Sequence, residues 1–305
     1  MKKLKLITIL GPTASGKSEL GIYLAKEYGS SIISGDAFQV YKGLDIGTAK
    51  VTKEESCGIK HYLVDCMDAD EPYSAAKFKQ YAEKYIKEEN ENGRIPILVG
   101  GTGLYIQGLL EGYDFRPEVE GTKKWKKIYE QEGEKPLIEE IKKYNSNIKI
   151  PKDKHRLIRL LELLENGVNK TVAGKSDEIL YDGPVIGIET ERNVLYSKIN
   201  LRVQKMIEKG LKKEVENLIN KGVSTDCQAF KAIGYKEMVS AIKGEISLED
   251  GISLIMKNTR HFAKRQITWY KRMPYIHWTR QGNKSKDDWY EGIKKYVNST
   301  LKEAN

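Results

Sequence analysis

Residues Gly11, Pro12, Thr13, Ala14, Ser15, Gly16, Lys17 and Ser18 fit the phosphate-loop spacing G-x-x-x-x-G-K-[ST]. An apolar run ending at Leu10 precedes them, and Glu19 to Tyr28 carries helical spacing after them. This context constrains the fold more than any other feature of the chain. Glycines at both ends let the backbone wrap so that successive N–H groups converge on phosphate oxygens, and the helix N-terminus adds the positive end of its dipole. Lys17 would reach the terminal phosphates and Ser18 a Mg2+ ion. The pattern identifies a polyphosphate and not a nucleotide, so a kinase, an NTPase and an enzyme using a diphosphate ester all stay open.

Strand-like runs at Leu4 to Leu10, Ser31 to Ser34, His61 to Val64 and Ile95 to Val99 alternate with helix-like ones at Glu19 to Tyr28 and Ala75 to Glu89. Strands separated by helices imply a parallel sheet covered on both faces. Residues 1–110 therefore read as an α/β, P-loop NTPase-like core. Residues 111–150 turn charged and helical, punctuated by Gly112, Gly121, Gly133 and Pro136, and read as a helical insertion. The remaining 151–305 should complete the core and add a C-terminal helical region. Helices are predicted at Lys154 to Glu165, Leu195 to Lys221 and Leu248 to Met273, with one strand at Val185 to Ile188.

The 52 Lys and Arg against 43 Asp and Glu leave a formal charge of +9, which favours a polyanionic partner, nucleic acid first. A composition of 39% hydrophobic and 31% charged residues suits a folded soluble chain, and no run approaches the roughly 18 apolar residues of a spanning helix. Cys57, Cys66 and Cys227 form no metal or disulfide pattern. The run Leu6 to Leu10 is too short for a signal-peptide core. A cytoplasmic protein with no membrane partner is expected.

Between Gly251 and Arg280 stand seven basic residues and no acidic one. Ile252, Ile255, Thr259, Phe262, Gln266, Trp269 and Met273 follow helical steps as a packing stripe, which puts Arg260, Lys264 and Lys271 on the opposite side, facing a phosphate backbone. Further basic patches lie at Lys123 to Lys127 and Lys152 to Arg159.

Two carboxylates could serve the loop. Asp36 follows the second strand, at the sheet edge where open α/β folds bind ligands. It could hold Mg2+ through water, accept a proton from a nucleophile, or only cap a turn. Asp65 ends an apolar run like a Walker B acid, with a strand-end turn as the alternative. Thr102, in Gly100-Gly-Thr-Gly-Leu-Tyr105, offers a hydroxyl at a helix start, or a cap.

Six ordered blocks, Gly11 to Ser18, Asp36 to Tyr41, Gly43 to Lys50, Gly100 to Tyr105, Ile233 to Glu237 and Thr259 to Trp269, together resemble the tRNA dimethylallyltransferase (tRNA isopentenyltransferase) family. The resemblance implies transfer of a dimethylallyl group from dimethylallyl diphosphate to N6 of the adenosine 3′ of the anticodon, with the loop holding the leaving diphosphate. It implies Asp36 as general base, Thr102 at the reacting region, and Lys17, Arg202 and Ser18 with Mg2+ on the diphosphate. By spacing alone Arg202 reads as a solvated or ion-paired arginine. The resemblance also places Asp36, Ala37, Phe38, Gln39 and Thr102, the block His155, Arg156 and Arg159, and the basic helix residues Arg260, Lys264, Arg265 and Lys271 against an anticodon stem-loop. Ala37, Phe38 and Lys231 depart from the family pattern. A monomer is expected. The rivals are a prenyltransferase of free AMP or ADP, a P-loop kinase of a small metabolite, and a nucleotide-switched RNA-binding protein without transfer chemistry.

Overall fold

The computed structural model describes residues 3–115, 123–144, 147–167, 176 and 178–303. The chain divides into two compact units, one of Met1–Gly112 with Ser176–Asn305 and one of Tyr113–Lys175.

The larger unit opens with β1 (Ile7–Leu10), α1 (Lys17–Tyr28), β2 (Ile32–Ser34), a short α2 (Lys53–Ser56), β3 (His61–Tyr62), α3 (Ala75–Glu91), β4 (Ile97–Gly100) and α4 (Gly103–Leu110). Local chemistry sets their limits. Gly29, at φ +56, ends α1 in the left-handed conformation that spares glycine a Cβ clash. The Ser74 side chain accepts the Lys77 amide at the start of α3, whose Phe78, Ala82 and Ile86 recur every fourth residue and are buried.

The smaller unit packs α5 (Lys123–Glu132), α6 (Lys135–Tyr144) and α7 (Lys154–Glu165) around Trp125, Leu137, Ile141, Leu157 and Leu161. The predicted insertion ended at residue 150; this unit runs to Lys175 and takes in α7. The reason is burial: α7 has six buried apolar residues, and Leu157, Ile158, Leu160, Leu161 and Leu164 complete the core that α5 and α6 begin.

The chain returns through β5 (Val185–Ile188), α8 (Arg192–Glu208), α9 (Leu211–Asn220), α10 (Tyr235–Ile242), α11 (Leu248–Tyr270), β6 (His277–Thr279) and α12 (Lys286–Glu303). The single helix predicted over 195–221 is two, because Gly210 at φ +93 breaks it. Strand β6 and helix α12 escaped the sequence reading.

Among the described residues the six strands are parallel, in the order β3-β2-β4-β1-β5-β6. Side chains along β1 and the residue before it alternate between faces, Ile7 and Ile9 meeting α1 and α12, and Leu6 and Leu10 meeting the cluster that holds α3, α4 and α10. Helix α1 leaves the central strand toward one face while α4 leaves its neighbour β4 toward the other. The carboxyl ends of β1 and β4 therefore part into a crevice, the place where open parallel sheets bind ligands.

Candidate active site

The phosphate loop lies at the mouth of that crevice. Gly16, at φ +90, turns the chain into α1, and Ala14 is also held at positive φ, a conformation a non-glycine residue keeps only under constraint from its surroundings. One such restraint comes from far along the chain: the Thr13 amide donates to Gln266 Oε1 of α11 at 3.0 Å. Lys17 Nζ donates to the Pro12 carbonyl at 3.3 Å and folds back over the loop. Burial, with Arg202 beside it, pulls the Lys17 ammonium down to about 8, against the opposing pull of Asp36. An anion in the loop would relieve that strain on the charged form.

The end of β2 carries Asp36, whose Oδ1 accepts the amides of Phe38 at 2.9 Å and Gln39 at 3.3 Å. The turn is thus made by the carboxylate itself. The Ala37 amide donates to Thr102 Oγ1 at 3.2 Å and ties the ends of β2 and β4 together. Glycine at 100 is needed for this approach, since a Cβ there would lie 2.5 Å from the Gly35 carbonyl oxygen.

A third wall is the segment 43–50. Glu214 accepts the amides of Asp45, Ile46 and Gly47 at 2.8 to 3.2 Å, and the Tyr235 hydroxyl donates to Glu214 at 2.5 Å. Lys50, its side chain 4% exposed, donates to the Tyr41 carbonyl and pairs with Asp45 and Asp65. So anchored, the Thr48 carbonyl accepts Gln39 Nε2 at 3.3 Å and Arg202 Nη2 at 3.5 Å. Burial pulls the Arg202 guanidinium down while Asp36 holds it up.

These walls enclose two spaces that meet. A polar recess of about 70 Å³ is lined by Thr13, Lys17, Ser18, Asp36, Gln39 and Arg202. A larger cavity of about 310 Å³ is lined by Ala37, Phe38, Thr102, Val203, Met206, Ile233, Ile255, Thr259 and Phe262. Thr13, Asp36, Thr48, Arg202 and Phe262 line both. Lys17 and Arg202 thus sit on the loop side, most of the apolar groups on the other with Lys231 and Arg265 among them, and Asp36 at the junction. A third, wider cleft of about 770 Å³ leads to the loop from outside, past Ser18, Lys198, Arg202, Lys286 and Tyr290.

Most residues predicted for the chemistry converge: Lys17, Ser18, Asp36, Thr102 and Arg202 all line this pair of spaces, as do Thr13, Ala37, Phe38, Gln39 and Arg265. Lys231, one of the departures from the family pattern, lines the apolar cavity too. Asp65 does not join them: its pairing with Lys50 makes it an anchor of segment 43–50 instead of a Walker B acid. Arg260 was expected to face away from the packing stripe, yet it is half-buried, donates to Asn200 Oδ1 at 2.7 Å and lies near the Tyr196 ring. The approach of α8 to α11 partly covers that face at Arg260. Lys264, Arg265 and Lys271 are exposed. His155 and Arg156 are exposed on α7 in the smaller unit, and Arg159 lies 3.6 Å from Glu162. The sequence reading missed Thr48, Glu214 and the polar use of Gln266. Only Gln266 left a signal, as an amide within a largely apolar stripe.

Among the described residues no group of three or more His, Cys, Asp or Glu could hold a metal ion. The donors fit Mg2+ all the same, because that ion keeps several waters and takes few protein ligands beside phosphate oxygens. The Ser18 hydroxyl, which lines both the recess and the outer cleft, would supply such a ligand.

A parallel sheet with a phosphate loop opening onto an apolar cavity, and a carboxylate between them, defines a class: an α/β protein that holds a phosphorylated apolar group beside a potential proton acceptor. Residues 39–273 match the family model described as IPP transferase. The tRNA dimethylallyltransferases of Staphylococcus carnosus (strain TM300) and Macrococcus caseolyticus (strain JCSC5402) are 43% identical over 288 residues and 44% over 286, covering 90% and 91% of this chain and the same shares of theirs. The crystal structure of the full-length tRNA isopentenylpyrophosphate transferase from Bacillus halodurans superposes with a TM-score of 0.77 at 35% identity, over 99% of this chain and 98% of that one. A eukaryotic dimethylallyltransferase described as acting on tRNA superposes with a TM-score of 0.74 at 26% identity, over 98% and 79%. The chain belongs to the IPP transferase family.

Proposed function

We propose that this chain is a tRNA dimethylallyltransferase, moving a dimethylallyl group from dimethylallyl diphosphate to N6 of the adenosine 3′ of the anticodon and releasing diphosphate. The observation that carries the reading is the junction: Asp36 lines both the cationic recess and the apolar cavity. A diphosphate in the loop, with its prenyl tail in the cavity, puts the allylic carbon between them, where an adenine amine entering from the cavity side meets it beside Asp36.

The C1–O bond breaks with its electron pair passing to diphosphate, the N6 lone pair forms the C1–N bond, and the N6 proton goes to the Asp36 carboxylate. Lys17, Arg202 and the loop amides stabilise the charge that gathers on the leaving group. Mg2+, held by Ser18 and diphosphate oxygens, would add positive charge there when bound. The turn formed at Oδ1 fixes the Asp36 carboxylate and leaves Oδ2 as the oxygen for the proton. Thr102, tied to the Ala37 amide, orients the same region. The adenosine must leave its stack to enter the cavity.

Exposed Lys264, Arg265 and Lys271 on α11 supply phosphate contacts, and His155, Arg156 and Arg159 supply others from the smaller unit. Among the described residues no helix is long and apolar enough to cross a membrane.

The test is a transfer assay with labelled dimethylallyl diphosphate and Mg2+, offered an anticodon stem-loop, AMP or no acceptor, alongside phosphate release from ATP. Label should enter the stem-loop alone. Comparable transfer to AMP would promote the free-nucleotide enzyme, and ATP turnover without transfer would promote a kinase or a switch.

A further inference from the structure

Gln266 belongs to the helix that carries the exposed cations, yet its side chain works in the opposite direction. It is 4% exposed and forms a two-ended clasp. Its Oε1 accepts the Thr13 amide of the phosphate loop at 3.0 Å, and its Nε2 donates to the Gly101 carbonyl at 2.8 Å, one residue before Thr102. One turn further, the Tyr270 hydroxyl donates to the same carbonyl at 2.7 Å. The approach is as close as backbone permits. A Cβ on Gly101 would lie 2.5 Å from Gln266 Nε2, and one on Gly103 2.5 Å from Trp269 Cδ1. The glycines around Thr102 thus serve the approach of α11.

The position needs a group that offers an acceptor to one loop and a donor to the other, which a neutral amide does at any pH. Glutamate in its ionised form has no donor, and methionine has neither group in useful strength. Arg265, adjacent in the chain, is exposed and lines the apolar cavity, as does Phe262 one turn earlier. A displacement of α11 by a polyanion on its cations therefore reaches the Thr102 segment through Gln266 and Tyr270, and the Thr13 amide of the phosphate loop through Gln266.

We propose that Gln266 is a positioning residue that couples RNA held on α11 to the diphosphate held in the loop, so that each ligand tightens the other. The proposal rests on the RNA-binding reading given above. Coupling of this kind is reciprocal, and typically amounts to between about 5-fold and 150-fold in affinity.

The experiment measures inorganic diphosphate affinity, with Mg2+, in the absence and presence of a saturating anticodon stem-loop. The wild-type protein should bind diphosphate about tenfold more tightly with RNA present. Gln266→Met and Gln266→Glu should still bind the stem-loop, and, whatever their own diphosphate affinity, the ratio of that affinity with and without RNA should fall toward one. In Gln266→Glu the enhancement should return at acidic pH, where the protonated carboxyl again offers both a donor and an acceptor. A merely structural side chain would lower thermal stability or diphosphate affinity and leave the ratio intact. Three results overturn the proposal: a wild-type ratio near one with RNA bound, an unchanged ratio in whichever of the two variants folds, or loss of the ratio in Gln266→Glu with no recovery in acid. Failure of the wild type to bind the stem-loop overturns the RNA reading and this proposal with it.

Discussion

The Thr102 hydroxyl accepts the Ala37 amide at 3.2 Å, which joins the end of β2 to the end of β4 one residue away from Asp36. The carboxylate is thus located by two strands and by its own turn, and not by contact with a substrate. Asp36→Asn should preserve that arrangement, because an asparagine Oδ1 still accepts the Phe38 and Gln39 amides. Basicity is lost, together with the negative charge that acts on Lys17 and Arg202. The single-turnover transfer rate should fall by about two to four powers of ten while stem-loop affinity stays near wild type. A wild-type rate would remove Asp36 from the chemistry.

Lys17 and Arg202 reach the recess from the loop and from α8, and the Arg202 charge bears on the Lys17 ammonium across the same small volume. Lys17→Ala and Arg202→Ala should each slow transfer at saturating Mg2+, and the double variant should fall short of the product of the two effects. Full additivity would mean that they act on different groups. An Arg202→Ala enzyme indistinguishable from wild type would return that residue to the solvated class.

The Lys17 ammonium, pulled down to about 8, sets a pH dependence. The free protein loses this proton as pH rises through about 8, whereas bound diphosphate favours the protonated form and lifts the value. Binding should therefore take up a proton above pH 8 and weaken by up to about tenfold per pH unit until the raised value is passed. Calorimetric titration of diphosphate in buffers of different ionisation enthalpy measures the uptake. Lys17→Arg, which stays charged, should flatten the profile.

The cationic face of α11 can be tested without disturbing the fold. Lys264 and Lys271 are exposed, so reversing both charges should raise the Michaelis constant for tRNA and lower the log–log salt slope by roughly 0.7 to 0.9 for each RNA phosphate no longer neutralised. Diphosphate binding without RNA should hardly change. Arg260→Glu is different in kind. It breaks the bond to Asn200 and should lower thermal stability as well as RNA affinity. Tight binding that ignores salt would take this face out of the RNA interface.

Local and periodic features were legible in the chain itself. The phosphate loop, the strands flanking it and the alternation that implies a parallel sheet all depend on neighbours within a few residues, where sterics and hydrogen bonding leave few choices. Asp36 and Thr102 could be placed because strand ends of a parallel sheet share one edge. The basic helix could be read from its charge pattern and spacing, whereas the role expected of Arg202 came from the ordered motifs of a family, since spacing alone left it as a surface charge.

What tertiary structure decided lies in pairs far apart in sequence. Segment 43–50 takes its shape from Glu214 and Tyr235, the loop amide of Thr13 finds Gln266, and Arg260 is claimed by Asn200. Asp65 reads as a strand-end acid until Lys50 folds back to it. Strand β6 is three residues long and largely exposed, too short for periodicity to reveal, and exists because β5 presents a free edge to it. A sequence specifies which side chains can donate, accept or carry charge. Which of them meet depends on the packing of helices whose apolar stripes fix orientation but not partner, and that is settled only when the sheet brings them together.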